Sequence, residues 1–242
     1  MASPSPPVRS ACVAEAPASL GVVILAAGAS SRLGQPKQLV EIDGQPLVRR
    51  QVEIALTIQP ARVVVVTGGQ ASDVEQAIAG MGVDCCFNQH WEKGMGNSLA
   101  AGIRAMPERV RGAMLLLVDQ WRIQPGDLDD LVTTWAKDPL AAVTACWGDT
   151  SGPPVIFPRS LFAPLSRLTG DRGARHLLKK FSGGLVKVQM DHAQFDLDSP
   201  QQLDALWAAG HEDRGSTYPV PPAYLAYGIS SVHRPRRATR SL

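Results

Sequence analysis

Short apolar runs alternate with longer segments of helical periodicity over most of the chain. The runs have the length of buried strands, as in Arg62 to Thr67 with its four consecutive valines. The strands predicted in this way cover residues 21–25, 62–67, 83–87, 113–118, 140–146, 155–157 and 185–188. The predicted helices cover residues 47–58, 97–106, 127–137 and 173–180, and two more begin near capping boxes, Ser72 with Glu75 and Ser199 with Gln202. Parallel strands need crossover helices, so the alternation predicts an α/β fold, a doubly wound three-layer sandwich with a mostly parallel sheet.

The regular pattern ends before both termini. Residues 1–20 contain four prolines and lack the apolar centre of a signal peptide, so we expect a disordered N-terminal tail. Residues 21–210 form one predicted domain. Residues 211–242 are rich first in proline and then in arginine, which predicts a flexible C-terminal tail.

Composition and charge narrow the possible functions. The chain has 24 basic and 22 acidic side chains, a formal net charge of +2, so no global field favours nucleic acid or a membrane surface as a partner. No apolar run reaches transmembrane length. The four cysteines form no C-x-x-C pair and no zinc-binding spacing, which favours reduced thiols and a cytoplasmic location.

The loop after the first strand carries the clearest chemical signal. It reads Ala-Ala-Gly28-Ala-Ser30-Ser31-Arg32-Leu-Gly34-Gln-Pro-Lys37 and combines small residues, hydroxyls and two cations, a composition that suits a polyphosphate. Five residues separate its glycines and no lysine follows the second one directly, so the loop is not a Walker A motif. A third glycine at the dinucleotide-binding offset is missing as well, which disfavours a nicotinamide site. A second signal is Asp119, which ends an apolar strand where ligands of open sheets bind.

The whole string from Leu25 to Lys37 resembles the nucleotide loop of MobA-like nucleotidyltransferases, and further segments extend the resemblance over about residues 21–207. Those segments are Asn88-Gln-His-Trp91, Gly94-Met-Gly-Asn-Ser98-Leu, Val118-Asp119-Gln120, Ser151-Gly-Pro-Pro154, Gly170-Asp171-Arg-Gly173-Ala-Arg175 and Phe195-Asp196-Leu-Asp198-Ser-Pro200. The combination looks most like the cytidylyl branch that acts on the molybdenum cofactor, because the guanylyl branch usually has glycine in place of Ala27. Trp121 stands where the family usually has proline, and we expect it to reshape the pocket of the second substrate.

The resemblance implies a role for particular residues in a Rossmann-like nucleotidyltransferase fold. Catalytic roles fall on Arg32, Lys37 and Asp119. Nucleotide contacts fall on Leu25, Ala26, Ala27, Gly28, Ser30, Ser31, Arg32, Gly34, Lys37, Gly68, Asn88 and Ser98. Acceptor contacts fall on Gln120, Gly152, Pro153, Asp171 and Arg175. Asp119 is the expected ligand of Mg²⁺; either Asp196 or Asp198 resembles the second metal ligand, and Asp198 is favoured.

The implied reaction is transfer of CMP from CTP to the phosphate of molybdopterin, with release of pyrophosphate and delivery of the product to a molybdoenzyme. Two other readings share the nucleotide loop or the cofactor: a transferase for another phosphorylated acceptor such as a sugar phosphate, and a non-catalytic carrier of the molybdenum cofactor. A pyridine-nucleotide oxidoreductase on a related scaffold is a further alternative, against which the missing dinucleotide fingerprint argues.

Overall fold

The computed structural model describes residues 17–171 and 173–203 and shows a sheet covered by helices on both faces. Its strands are β1 (Leu20–Leu25), β2 (Glu41–Ile42), β3 (Gln45–Pro46), β4 (Arg62–Thr67), β5 (Asp84–Phe87), β6 (Gly112–Leu117), β7 (Ala142–Trp147), β8 (Thr150–Pro158) and β9 (Leu185–Gln189). Its α-helices are α1 (Leu47–Thr57), α2 (Ala71–Ala77), α3 (Met95–Arg104), α4 (Pro125–Lys137), α5 (Phe162–Leu165) and α6 (Arg175–Lys180). Short 3₁₀ turns cover Pro17–Ser19, Lys37–Leu39, Trp91–Lys93, Arg159–Leu161 and Asp191–Gln194.

Seven strands form one sheet in the order β5-β4-β1-β6-β8-β7-β9, and β2 and β3 form a separate two-stranded hairpin. All pairings in the large sheet are parallel except those of β8, which runs antiparallel to both β6 and β7. The predicted α/β fold with a mostly parallel sheet is therefore confirmed. Strands β1 and β6 are neighbours, so the loop after Leu25 and the acid at Asp119 lie at the same edge of the sheet.

The central strands contribute to two separate apolar clusters. Along β1, Val22 and Ile24 pack into the cluster with α1 and α4, whereas Val23 and Leu25 pack into the cluster with α3 and α5. Burial of both faces explains why these strands are continuous apolar runs and do not alternate with polar residues. Burying each such side chain contributes about 1.5–3 kcal/mol.

Capping side chains mark the start of some helices but not of others. Ser199 Oγ accepts a hydrogen bond from the backbone N–H of Gln202, and the Gln202 side chain accepts one from the backbone N–H of Ser199, as the predicted capping box requires. The box predicted at Ser72 and Glu75 is wrong, because the helix begins at Ala71 with Gln70 at the cap, so Ser72 already lies inside the first turn.

Some predictions fall outside the described residues. They are residues 1–16 of the N-terminal tail predicted at 1–20, the end of the last helix beyond residue 203 and the C-terminal tail at 211–242. Residues 17–20, the described part of that predicted N-terminal tail, form a 3₁₀ turn and the start of β1. Among the helices that the structure does describe, none is both long enough and apolar enough to cross a bilayer.

Candidate active site

Lys37 connects the loop after β1 to the acidic residues at the carboxyl end of the sheet. A 3₁₀ turn from Lys37 to Leu39 positions the side chain, whose Nζ donates to Asp119 Oδ2 and lies 3.1 Å from Asp198 Oδ1. Asp119 follows β6. Gln120 forms an antiparallel bridge with Asp196, and this bridge brings Asp198 close to Asp119. Three distant parts of the chain thus converge on one ammonium group.

The backbone of the loop is held by Gln38, which the sequence analysis did not single out. Its buried side-chain amide donates to Ala26 O at 2.9 Å and to Gly28 O at 2.6 Å. Ser30 adopts a left-handed φ of 56°, and its hydroxyl accepts the backbone N–H of Lys37 at 3.0 Å and donates to Gln38 Oε1 at 3.3 Å. The hydroxyl of Ser30 therefore supports the shape of the loop. The only sequence signal for Gln38 was its position directly after Lys37.

Two cavities meet at the loop and share Gly28 and Lys37. The first has a volume of about 310 Å³, and the second has about 280 Å³. The first cavity is lined by Leu25, Ala27, Gly28, Ala29, Lys37, Gln38, Trp91, Glu92, Gly94, Met95, Ser98, Leu117, Val118, Asp119 and Asp171. The second is lined by Gly28, Ser30, Ser31, Arg32, Leu33, Lys37, Leu197 and Asp198. A partly apolar cavity beside a hydroxyl-rich and cationic one of similar volume matches the two chemically different ends of a nucleoside triphosphate.

The glycines around the cavities serve three purposes. A Cβ atom added at Gly28 would meet no other atom within 4 Å, so the backbone at this position is open to a ligand. At Gly68 a Cβ atom would lie 2.5 Å from Ala27 O and 2.7 Å from the Trp91 ring, so this glycine allows Trp91 to pack against the end of β4. Gly34 has a left-handed φ of 76°, which explains glycine at this turn.

Asn88 and Ser98 form part of the frame of the first cavity. Both are buried, and Asn88 Nδ2 donates to Ser98 Oγ at 3.0 Å while Asn88 Oδ1 accepts the backbone N–H of His90. Ser98 lines the cavity directly. Trp91, Glu92 and Met95 line it too, although the sequence analysis assigned no nucleotide contact to them.

The predicted acceptor residues do not all lie in one place. Gln120 is buried, and its amide donates to Pro153 O and Ala193 O, both at 2.8 Å, so it fixes the strand end that contains Gly152 and Pro153. Asp171 lines the first cavity. Arg175 is exposed at the start of α6 and lines neither cavity.

Three carboxyl groups around Lys37 dominate the electrostatics. Burial lowers the pKa of Lys37, but Asp119 and then Asp198 outweigh this effect, so its pKa is raised and the ammonium stays charged. Burial raises the pKa of Asp196 to about 7, with smaller contributions from the charges of Asp119 and Asp198 and an opposing one from Lys37. Asp196 therefore adds its negative charge to the cluster only as the pH rises through about 7.

The same carboxyl groups suit a divalent cation. Among the described residues, Asp119 Oδ1 and Asp196 Oδ1 are buried and have no hydrogen-bond partner, which is unusual for carboxyl oxygens in a folded protein. Hard oxygen ligands of this kind are those that Mg²⁺ prefers, usually one or two carboxylates together with substrate phosphates. In residues 17–171 and 173–203 no three acidic, histidine or cysteine side chains form a complete metal cage, so oxygens from the nucleotide would have to complete the coordination shell.

Comparison with known proteins identifies the family of the chain. The family model described as the MobA-like NTP transferase domain matches residues 22–188. The purine catabolism protein PucB of Bacillus subtilis is 30% identical over 196 residues, which cover 76% of this chain and 94% of PucB.

Solved structures agree with this relationship. Rv0371c of Mycobacterium tuberculosis superposes with a TM-score of 0.70 and 28% identity over 78% of this chain and 96% of its own, and a manganese complex of the same protein gives 0.66 and 24% over 79% and 99%. The molybdopterin-guanine dinucleotide biosynthesis protein A of Archaeoglobus fulgidus shares the fold, with a TM-score of 0.60 and 17% identity over 79% of this chain and 99% of its own. The loop, the acidic strand end and these similarities lead to one conclusion: the chain is a nucleotidyltransferase and belongs to the MobA-like NTP transferase family.

Proposed function

We propose that the protein transfers CMP from CTP to the phosphate of molybdopterin and releases pyrophosphate, with Mg²⁺ as the metal ion. The observation that carries the proposal is the position of Lys37, whose ammonium lies between Asp119 and Asp198 on the wall shared by the two cavities. A triphosphate that ran from the first cavity into the second would pass this group. The open backbone at Gly28 and the exposed cation of Arg32 provide further contacts along that path.

The chain has little covalent chemistry to perform in such a reaction. A phosphomonoester has a second pKa near 6, so at neutral pH the acceptor phosphate is mostly a dianion and can attack without a general base. One of its oxygens forms a bond to the α-phosphorus of CTP, and the bond from that phosphorus to the bridging oxygen breaks. Pyrophosphate leaves with the electron pair.

The difficulty of the reaction lies in bringing two polyanions together, and the residues around Lys37 address it. Lys37 and Arg32 neutralise phosphate charge, and Gln38 and Ser30 keep the loop in the shape that presents those cations. Asp119 and Asp196 would hold Mg²⁺, which neutralises charge on the triphosphate oxygens. Asp198 is the alternative to Asp196 as the second ligand. It is the weaker candidate, because its side chain is 51% exposed and already paired with Lys37.

Two considerations favour a cytidylyl donor and a pterin acceptor. Ala27 stands where the guanylyl branch usually has a second glycine, and the cytidylyl branch is the one that the loop resembles. The similarity in fold to the Archaeoglobus protein, whose name refers to molybdopterin, supports an acceptor of the same kind.

Pyrophosphate release tests the proposal directly. We would incubate the protein with purified molybdopterin and each of CTP, GTP, ATP and UTP, with Mg²⁺, with Mn²⁺ or with a chelator, and identify the product by mass. The proposal predicts metal-dependent release with CTP and a cytidylyl product. Turnover with sugar phosphates but not with molybdopterin would favour the other acceptor class, whereas molybdopterin binding without turnover would favour a carrier. Consumption of NADPH with a dye acceptor would indicate an oxidoreductase.

A further inference from the structure

A cation and two aromatic rings form a cluster beside the carboxyl groups of the active site. The guanidinium carbon of Arg122 lies 4.7 Å from the centre of the Trp121 ring and 4.1 Å from the centre of the Phe195 ring. The two rings meet edge to face, with centres 6.5 Å apart and planes inclined at 63°. The guanidinium of Arg122 thus lies over both rings and makes a cation–π contact with each, although the residue is exposed.

The backbone places this cluster directly beside the acidic residues of the site, although none of its three members lines either cavity. Gln120 and Asp196 form an antiparallel bridge, and Leu197 N–H donates to Asp119 O at 3.0 Å, so the segments 119–122 and 195–198 lie side by side. Trp121 and Arg122 therefore follow the site on one segment, and Phe195 precedes Asp196 on the other. Gln120 also binds Pro153 O, which joins the predicted acceptor segment to the same group of residues.

The charge of Arg122 is available to a ligand. Within residues 17–171 and 173–203 no carboxylate forms an ion pair with it. Lys37, by contrast, already contacts two acids. An anionic acceptor that approaches Asp119, Asp196 and Asp198 meets three acidic groups and needs a cation on its own side of the site. A guanidinium that stacking has already ordered loses little conformational freedom when it binds an anion.

We propose that Arg122, held between Trp121 and Phe195, binds an anionic group of the acceptor, and that it determines affinity for the acceptor without affecting affinity for the nucleotide. The inference rests on the proposed transfer to a phosphorylated acceptor. It also gives Trp121 a function at the position where the family usually has proline: its ring forms one face of the guanidinium site.

The experiment compares Arg122→Ala, Arg122→Lys and Arg109→Ala with the unchanged protein. Arg109 is an exposed arginine that precedes β6, whereas Asp119 and Arg122 follow it. Arg109 therefore lies at the other end of this strand, away from the site, and is a matched control. Steady-state kinetics with CTP and molybdopterin gives KM for each substrate. Calorimetric titration with phenyl phosphate, on protein saturated with Mg²⁺ and a non-hydrolysable CTP analogue, measures binding of a phosphomonoester independently of turnover.

We expect Arg122→Ala to raise the acceptor KM about tenfold or more, as for loss of a charged hydrogen bond, while KM for CTP and the melting temperature stay unchanged. Phenyl phosphate should bind correspondingly more weakly. In acceptor KM and in phenyl phosphate affinity, Arg122→Lys should fall between Arg122→Ala and the unchanged protein. Lysine keeps the positive charge but loses the planar group that lies over the rings.

Three results would overturn the inference: an unchanged acceptor KM and phenyl phosphate affinity in Arg122→Ala, equal increases in both KM values, or no phenyl phosphate binding to the unchanged protein. Failure of transfer to molybdopterin with normal phenyl phosphate binding would instead reject the proposed function alone.

Discussion

The loop after β1 and the acidic segments opposite it differ in how their polar groups are satisfied. In the loop, Ser30 and Gln38 use their side chains to bind the loop's own backbone, so its shape is built before any ligand arrives. Across the cavity, Asp119 Oδ1 and Asp196 Oδ1 are buried without a hydrogen-bond partner among the described residues. One side of the site therefore has its polar groups satisfied in the free protein, and the other has two buried carboxyl oxygens that the proposed metal ion would bind.

The comparison distinguishes polar residues that shape the loop from carboxylates that are free to bind a cation. The sequence alone shows both kinds simply as polar residues. Substitutions on the loop side should affect the stability of the loop or its positive charge. Substitutions on the acidic side should affect metal binding and the response to pH. Lys37 belongs to both sides, so its loss should have the largest consequence.

Replacing Lys37 with alanine should lower the rate of transfer by about 10²–10³-fold, the effect of removing one preorganised charged donor from a transition state. The exposed Lys187→Ala is the matched control and should keep the full rate. Pyrophosphate release measures the rate, and circular dichroism checks that both variants fold. A wild-type rate in Lys37→Ala would remove the phosphate role that we assign to it.

The acidic side can be divided by comparing three variants, Asp119→Asn, Asp196→Asn and Asp198→Asn. Asp119 and Asp196 each have one buried carboxyl oxygen without a partner, so removing either carboxylate should weaken Mn²⁺ binding about tenfold or more, an effect of the size found when metal-site groups are mutated. Asp198→Asn should show a smaller loss, because Asp198 is half exposed and has no such buried oxygen. Electron paramagnetic resonance of Mn²⁺ with a CTP analogue measures the affinity. The reverse order would make Asp198 the second ligand, as the sequence predicted.

On the loop side, Gln38→Leu should destabilise the protein by about 1–3 kcal/mol, because the carbonyl oxygens of Ala26 and Gly28 lose a buried donor. Gln35→Ala, at an exposed position of the same loop, should have almost no effect. Urea unfolding followed by fluorescence gives both values. Equal stability of the two variants would show that the loop does not depend on Gln38.

The last prediction concerns the pH response of Asp196, whose pKa is raised to about 7 in the folded protein. A carboxyl group with a raised folded-state pKa contributes stability that is fully present below its unfolded pKa, about 3.9, and is lost as the pH rises through the folded value. Asp196→Asn should therefore gain melting temperature relative to the unchanged protein between pH 5 and pH 8, in the absence of metal. A constant difference across that interval would contradict the raised pKa.

The sequence predicted the strands well where the signal was local. The apolar runs of β1, β4 and β6 are buried on both faces, so their composition alone indicates them. It predicted only residues 155–157 of β8, which spans Thr150–Pro158, because glycine and two prolines in the first half have no intrinsic preference for a strand. Pairing with β7 and β6 imposes the extended conformation there. The antiparallel direction of β8 is likewise a property of the assembled sheet.

Lys37 and Asp119 were singled out from the sequence, and the structure brings them together, although their catalytic roles stay predictions. Trp91 was named only as part of a segment that resembles the family. Gln38 and Arg122 were not singled out, because nothing in their immediate sequence shows what they touch. Gln120 was expected to contact the acceptor directly, yet its amide donors are both taken by backbone carbonyls.

A crystal structure with a non-hydrolysable CTP analogue and Mn²⁺ tests the central claim most directly, because anomalous scattering locates the metal independently. The account predicts the triphosphate against the loop from Gly28 to Lys37, with the Mn²⁺ peak bound by Asp119 and by phosphate oxygens. An empty loop, or a metal peak away from Asp119 with the nucleotide bound elsewhere, would contradict it.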